Sequence, residues 1–467
     1  MKPTTSCNRT HLTWSPGLCV GGYWIEQISH TNTRGSVLTR NTEFSPGYKR
    51  YALGLLLVGY IVNFVDRSIL SILLEPIKLE LVLTDTQLGF LGGLAFAVFY
   101  TFLGIPIAML ADRRSRVKIL AVAMVVWSVM TALCGLATNF VTLLLARIGV
   151  GAGEAGASPP SHSLISDYFP VEARATALSI YALGIPIGSM IGNFVGGWGA
   201  DALGWRTTFF LVGLPGVLVA LVIWFTLREP PRGMSDGIAV KTPQPADAAE
   251  ANGPAAPSAG EVLKLLWGKR SFRHLSFAAG LHAFVSYGAS TWNAPFFIRV
   301  HDMPITEVGG WLALVSGVGA IGTFLGGYWG DKLADRTGEK RWYFWVPGIA
   351  TFIMVPFQLI SYLYGGMTAV LSSLMFVAIL SNMYLGPSFA MTQALVSLRM
   401  RAVASAILLF VLNLIGMGLG PYLVGVASDY LMPTFGQESV RYALCLAVMA
   451  NVWAAAHYFL GARHMRQ

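Results

Sequence analysis

Twelve apolar runs of about twenty residues divide this chain, at roughly 51–74, 87–110, 117–138, 140–165, 174–200, 207–227, 274–298, 307–329, 342–363, 366–394, 402–426 and 440–461. About twenty apolar residues wound as a helix cross the ~30 Å hydrocarbon core of a bilayer. Backbone groups find no water there, so each run must satisfy its own amides and carbonyls as a helix. The fold class that follows is an all-α membrane protein with twelve transmembrane helices. Composition agrees: 12% of the 467 residues are charged, against about 25% in soluble domains.

The runs come as six, an interruption and six more. The interruption includes PQPADAAEANGPAAPSAG, a Pro/Ala/Gly-rich sequence of linker type. The domain plan is a polar N-terminal tail (1–48), a six-helix half (49–227) and a linker (228–260). A second six-helix half (261–461) and a short tail (462–467) follow. EVLKLLWGKRSF, at the start of the second half, reads either as a helix lying on the membrane surface or as the frayed start of the seventh span. With both termini on one side, that side holds 26 Lys and Arg and the other holds Lys78, Arg206, Arg299 and Arg441. This bias puts both termini in the cytoplasm. It also accounts for the +9 formal charge without nucleic acid. The four cysteines are scattered and imply neither disulfides nor a metal site.

Charges inside the runs carry the functional signal. Asp66 and Arg67 lie well within the first, and Arg147 and Glu154 within the fourth. An ionisable residue at a membrane helix centre costs about 2.5–3.5 kcal/mol on insertion scales and is retained where it faces a cavity or a partner. Carboxylates in a low-dielectric cavity take up protons more readily than in water, so Asp66 and Glu154 are the expected proton acceptors. Arg147 stands two turns before Glu154 on the same face and is expected to tune these acids beside the substrate. For Arg67 two readings stay open: a bidentate site for an anionic substrate group, or a bridge to Asp66 or Glu154. In the second half, Tyr287, Trp292, Asn293, Asn382 and Asn413 are candidate substrate contacts, with interhelical hydrogen bonding as the simpler alternative. His162 is assigned a structural role.

Two loops repeat a pattern. LGIPIAMLADRRSRVK carries Asp112, Arg113 and Arg116, and LGGYWGDKLADRTGEKR carries Asp331 and Lys332. Asp112 is expected to gate by contacts that form in one conformation and break in another, and the loops anchor the cytoplasmic face. Matching features at matching places are the mark of a duplicated six-helix unit.

On these residues the chain resembles the major facilitator superfamily. The loop motif is kept at Asp112, Arg113 and Arg116, with Ala108 and Ser115 replacing its two glycines. Arg147, Gly151 and Gly153 match the fourth-span pattern, and LGWRTTFF enters span six in the expected way. The fifth-span pattern is only partly kept, because Asn193 stands where Pro is expected. Within the superfamily, Asp66-Arg67, GEAGASPP (153–160), ISDYFP (165–170) and REPPRG (228–233) resemble the spinster family, as a bacterial homologue. The resemblance implies a proton-coupled transporter that works by alternating access on sphingolipids or lysophospholipids in the bacterial inner membrane. The expected partners are an amphipathic or anionic small molecule, protons and membrane lipids, and the expected state is a monomer. Neither a cofactor nor a metal is implied. The competing readings are an organic-anion:proton symporter for sugar acids and a membrane sensor that moves nothing. HExxH, GxSxG and Walker-type motifs are all missing, so an enzyme is not expected.

Overall fold

The computed structural model describes residues 44–236, 258–397 and 400–466. Most of the expected tail and linker therefore lies outside the described residues. The described chain is helical nearly throughout. The N-terminal bundle comprises α1 (Pro46–Leu81), α2 (Asp85–Arg113), α3 (Arg116–Cys134), α4 (Phe140–Glu154), α5 (Ser158–Tyr168), α6 (Val171–Ala182) and α7 (Gly184–Thr226). The C-terminal bundle comprises α8 (Ala259–Gly268), α9 (Arg270–His301), α10 (Ile305–Thr337), α11 (Trp342–Leu363), α12 (Met367–Asn382), α13 (Leu385–Ala394), α14 (Arg401–Val411), α15 (Gly420–Phe435) and α16 (Ser439–Arg463).

Local chemistry sets the helix starts. Ser45 caps α1 ahead of Pro46, Ser115 caps α3, and capping boxes open α2 (Thr84 with Gln87), α4 (Asn139 with Thr142) and α8 (Ser258 with Glu261). Most helices run past the apolar stretches read from sequence. α1 starts five residues earlier and ends seven later than the run at 51–74, because a helix continues into the headgroup region where hydropathy no longer marks it. α16 likewise absorbs the start of the expected C-terminal tail and ends at Arg463.

Nine helical stretches among the described residues are long and apolar enough to cross a membrane. One of them, Val171–Thr226, has 56 residues and turns at Gly204, where φ is 80°. Another, Val403–Arg463, has 61 residues and turns at Gly436, where φ is 55°. α9, with 32 residues, is not among the nine. The fourth run read from sequence is two helices, broken at 155–157 just ahead of Pro159 and Pro160, and Glu154 closes the first. The tenth breaks at 383–384 ahead of Pro387, just after Asn382. A π-helical stretch interrupts α2 at Phe90–Leu94, and another joins α14 to α15 at Leu412–Leu419.

Contacts sort the described turns into two sides. Tyr48 meets Thr226, Arg116 meets Glu229, Tyr168 meets Arg228 and Lys269 meets Leu395, and these ends of the helices are called here the near side. The turns near 83, 136, 204, 303, 365 and 436 share the far side. α1 and α3 pack along α7, and α9 and α11 pack along α16. Between the bundles, α7 lies against α10 and α2 against α15. Glycines permit this approach. A Cβ on Gly197 would sit 2.9 Å from the Gly309 Cα across the bundle boundary, and one on Gly322 would strike the Ile379 carbonyl oxygen. Gly322→Ala should therefore destabilise the protein by about 1–3 kcal/mol through overpacking. Gly104→Ala, with nothing within 4 Å of the new methyl, should not lower the thermal midpoint, and a comparison of the two midpoints checks this.

Candidate functional site

The in-span charges collect in one buried layer of the N-terminal bundle. Adjacent helix positions diverge by about 100°, and Asp66 and Arg67 accordingly find different partners. Asp66 is fully buried and accepts a 3.2 Å hydrogen bond from Thr131 of α3. The Arg67 Nε donates to Glu154 Oε2 at 2.6 Å, across from α1 to the end of α4. Glu154 is fully buried, whereas the Arg67 side chain keeps 19% of its surface exposed. Arg67 also lies over the Tyr100, Phe64 and Phe96 rings, at 4.6, 5.0 and 5.2 Å. Arg147 is 2% exposed, 5.3 Å from the Phe96 ring.

The C-terminal candidates do not join this layer through any described hydrogen bond. Trp292 is fully buried and donates its indole N–H to Pro421 O at 2.8 Å. Asn293 accepts from the Tyr362 hydroxyl at 3.0 Å. Asn382 donates to Ala378 O at 2.8 Å, one turn back on its own helix. Asn413 lies in the π-helical stretch, and Tyr287 is 37% exposed.

On the far side, a second charged cluster joins the bundles. Arg299 of α9 donates to Glu75 of α1 at 2.6 Å and to both oxygens of Asp85 of α2, at 2.8 and 3.0 Å. Asp85 also accepts from Lys78 at 2.6 Å and from Ser428 of α15 at 2.6 Å. In return, Asp429 of α15 accepts from the backbone amides of Asp85 and Thr86, capping α2 from the opposite bundle. Sequence reasoning missed this cluster. Glu75, Asp85 and Asp429 fall at or near run ends, where charges are ordinary, and Arg299 reads simply as one of the few far-side cations. The only signal was Asp85 beside the Thr84 capping box.

On the near side, the gating candidates make contacts within their own bundles. Asp112 and Arg113 are exposed. Arg116 is 1% exposed and donates to Glu229 at 2.7 Å, Ser163 Oγ at 2.8 Å, Pro230 O at 2.8 Å and Asp167. It thus pins the end of α5 and the REPPRG segment to the start of α3. Asp331 accepts from the Tyr343 hydroxyl at 2.8 Å, and Lys332 reaches the Tyr328 hydroxyl at 2.5 Å.

Buried charges paired across helices, close glycine contacts between two bundles and interrupted membrane-length helices describe a two-bundle helical membrane protein. The sequence profile of the Major Facilitator Superfamily matches residues 56–421, and the chain belongs to that superfamily: it is an integral membrane transporter, not an enzyme. It is 32% identical over 421 residues to an MFS-type efflux pump of Mycolicibacterium smegmatis, covering 89% of this chain and 93% of that protein. A hexuronate transporter of Bacillus subtilis is 28% identical over 297 residues, 62% of this chain and 65% of that one. Among solved structures, a bacterial homologue of the human lysosomal transporter spinster, inward-facing and unoccupied, matches with a TM-score of 0.79 at 34% identity. That match covers 90% of this chain and 98% of the other. The fold is therefore spinster-like.

Two measurements follow from this geometry. Arg299→Ala leaves Glu75 and Asp85 as buried carboxylates without their guanidinium, a loss of about 3–5 kcal/mol for a broken buried pair. These bonds tie α1 and α2 to α9 across the bundle boundary. Spin labels at Leu136 and Phe435, on a background without native cysteines, should separate further in Arg299→Ala than in the unmodified protein. An unchanged distance contradicts the seal. Burial pushes the Glu229 carboxyl up, but the Val117 amide, Arg116 and Ser115 outweigh it and hold the group below the usual glutamate range. Its contribution to stability is then complete at neutral pH and is lost only as pH falls below the ordinary value of about 4.3. Glu229→Gln should lower the thermal midpoint at pH 7, and the gap should close in acid.

Proposed function

We propose that this chain is a proton-coupled secondary transporter that moves an anionic, amphipathic, lysophospholipid-like molecule across a bacterial inner membrane by alternating access. The observation that carries the reading is the Arg67–Glu154 pair, a 19%-exposed guanidinium shared between a buried acid and the Phe64, Phe96 and Tyr100 rings. When Glu154 takes a proton, its claim on Arg67 weakens, and the guanidinium becomes available to an anionic headgroup. Proton and cargo then bind with positive linkage. Asp66 is the second proton acceptor, and Arg147 holds the potential of the layer positive. Tyr287, exposed on α9, is the C-terminal residue we assign to the cargo's apolar tail, while Asn293 and Asn382 are already bonded within the C-terminal bundle.

Several features support the wider plan. The turns at Gly204 and Gly436 divide the two longest helical stretches, and α9 is itself about 48 Å long at 1.5 Å per residue. Counted so, the chain has twelve spans in two six-helix halves, 49–227 and 261–461. The breaks in spans four and ten recur at equivalent places of a duplicated six-helix unit. The 26 near-side cations argue for a cytoplasmic near side. The cross-bundle bonds through Arg299 then close the outer face, in keeping with the inward-facing relative. Asp112, Arg113, Arg116, Asp331 and Lys332 belong to the loops that meet when the inner face closes.

The similarity to a hexuronate transporter favours one rival, a symporter of small sugar acids. Flux of lysophosphatidylglycerol in proteoliposomes under a pH gradient separates the readings. We expect gradient-driven flux, lost about tenfold or more in Glu154→Gln and Asp66→Asn, with little competition from hexuronate. Strong hexuronate competition, or unchanged flux in both variants, would overturn the proposal.

A further inference from the structure

One layer of the N-terminal bundle holds more polar atoms than its own hydrogen bonds use. Asn63 Nδ2, Asp66 Oδ1, Trp127 Nε1, Ser128 Oγ, two nitrogens of Arg147 and Glu154 Oε1 have no protein partner. Their owners are all 2% exposed or less. Buried polar groups in folded proteins are rarely left unpaired, and where protein does not satisfy them, water does. These groups span about two helical turns of the same bundle. Asn63 and Asp66 share a face of α1, as Ser128 and Thr131 share a face of α3. Thr131 bonds Asp66 directly. The α3 backbone packs tightly on Gly153, the neighbour of Glu154: a Cβ there would be 2.6 Å from the Trp127 backbone nitrogen.

A small cavity adjoins the layer through the same Trp127. It is bounded by Gly59, Tyr60, Trp127, Ser161 and Tyr181 among others, and its volume is about 10 Å³, about the least that holds one water. Gly59 stands one turn before Asn63, so the cavity lies on the near side of the layer. It is enclosed by helices of one bundle and is far too small for any organic cargo.

We propose that this cavity and the polar layer form a hydrated proton route inside the N-terminal bundle. The route runs from the near side past Tyr181 and Ser161, by Trp127 and Asn63, to Asp66 and Glu154. It is separate from the passage between the bundles and rests on the proton-coupling reading above. An indole N–H donates but does not accept. Trp127 is therefore a positioning residue that orients water, while water and Ser128 pass the proton to a carboxylate oxygen that has no other partner.

Radiolytic hydroxyl-radical footprinting of the purified full chain, read by mass spectrometry, tests the hydration without any cargo. Trp127 should be oxidised several-fold faster than Trp292, which is equally buried but has its N–H bonded to Pro421. Equal rates overturn the proposal. Gly59→Ala adds a methyl at the cavity wall, 2.9 Å from the flexible end of Met124 and 3.7 Å from the Ile223 Cδ1, and should bring Trp127 down to the Trp292 rate. In proteoliposomes, Gly59→Ala and Trp127→Phe should each slow gradient-driven lysophosphatidylglycerol flux several-fold while leaving its binding affinity unchanged. A full pH response in both variants overturns the route and leaves coupling intact. Flux in the unmodified protein that ignores the pH gradient overturns the coupling reading, and the route with it.

Discussion

Charge without water is the constraint on which this molecule depends. A carboxylate in hydrocarbon must be paired, hydrogen-bonded or neutral, and the chain keeps several. Arg67 and Glu154 meet at the break between α4 and α5, Asp66 leans on Thr131, and Arg299 gathers Glu75 and Asp85 on the far side. One helix interruption serves the same constraint. Pro159 and Pro160 end α4 at Glu154, so the acid sits where the helix ladder is already open.

The two charged clusters differ in what they join. The layer around Glu154 lies within one bundle. The Arg299 cluster crosses from one bundle to the other and must come apart if the far side opens. Asp429 makes the separation sharper, because the amides at the start of α2 lose their cap in the same movement. Alternating access needs such a division of labour: a fixed site for chemistry, and contacts whose making and breaking set the conformation. Arg116, tied to Glu229 and Asp167 within the N-terminal bundle, belongs to the rigid part.

Much of this was legible in the sequence, for a physical reason. Hydropathy over twenty residues reports the bilayer directly, and a charge inside such a run is costly enough to mark a site, which is how Asp66, Arg67, Arg147 and Glu154 stood out. Charges near run ends carry no such cost, so Glu75, Asp85, Arg299 and Asp429 were silent until the helices were seen side by side. Loop motifs misdirect in a similar way. Asp112 and Arg116 belong to one pattern, yet one is exposed and the other is among the most buried side chains in the protein. Hydropathy parted the runs 174–200 and 207–227 on either side of the turn at Gly204, but apolarity alone did not reveal the break at 155–157.

The central claim is that a buried acid surrenders its hold on Arg67 when it takes a proton, so that anion and proton bind together. Proton exchange on cargo addition tests it most directly. Lysophosphatidylglycerol added to purified protein in weakly buffered detergent, with a pH-indicating dye, should cause proton uptake that is absent in Glu154→Gln. Cargo that binds with no proton uptake, or with the same uptake in Glu154→Gln, would contradict the account.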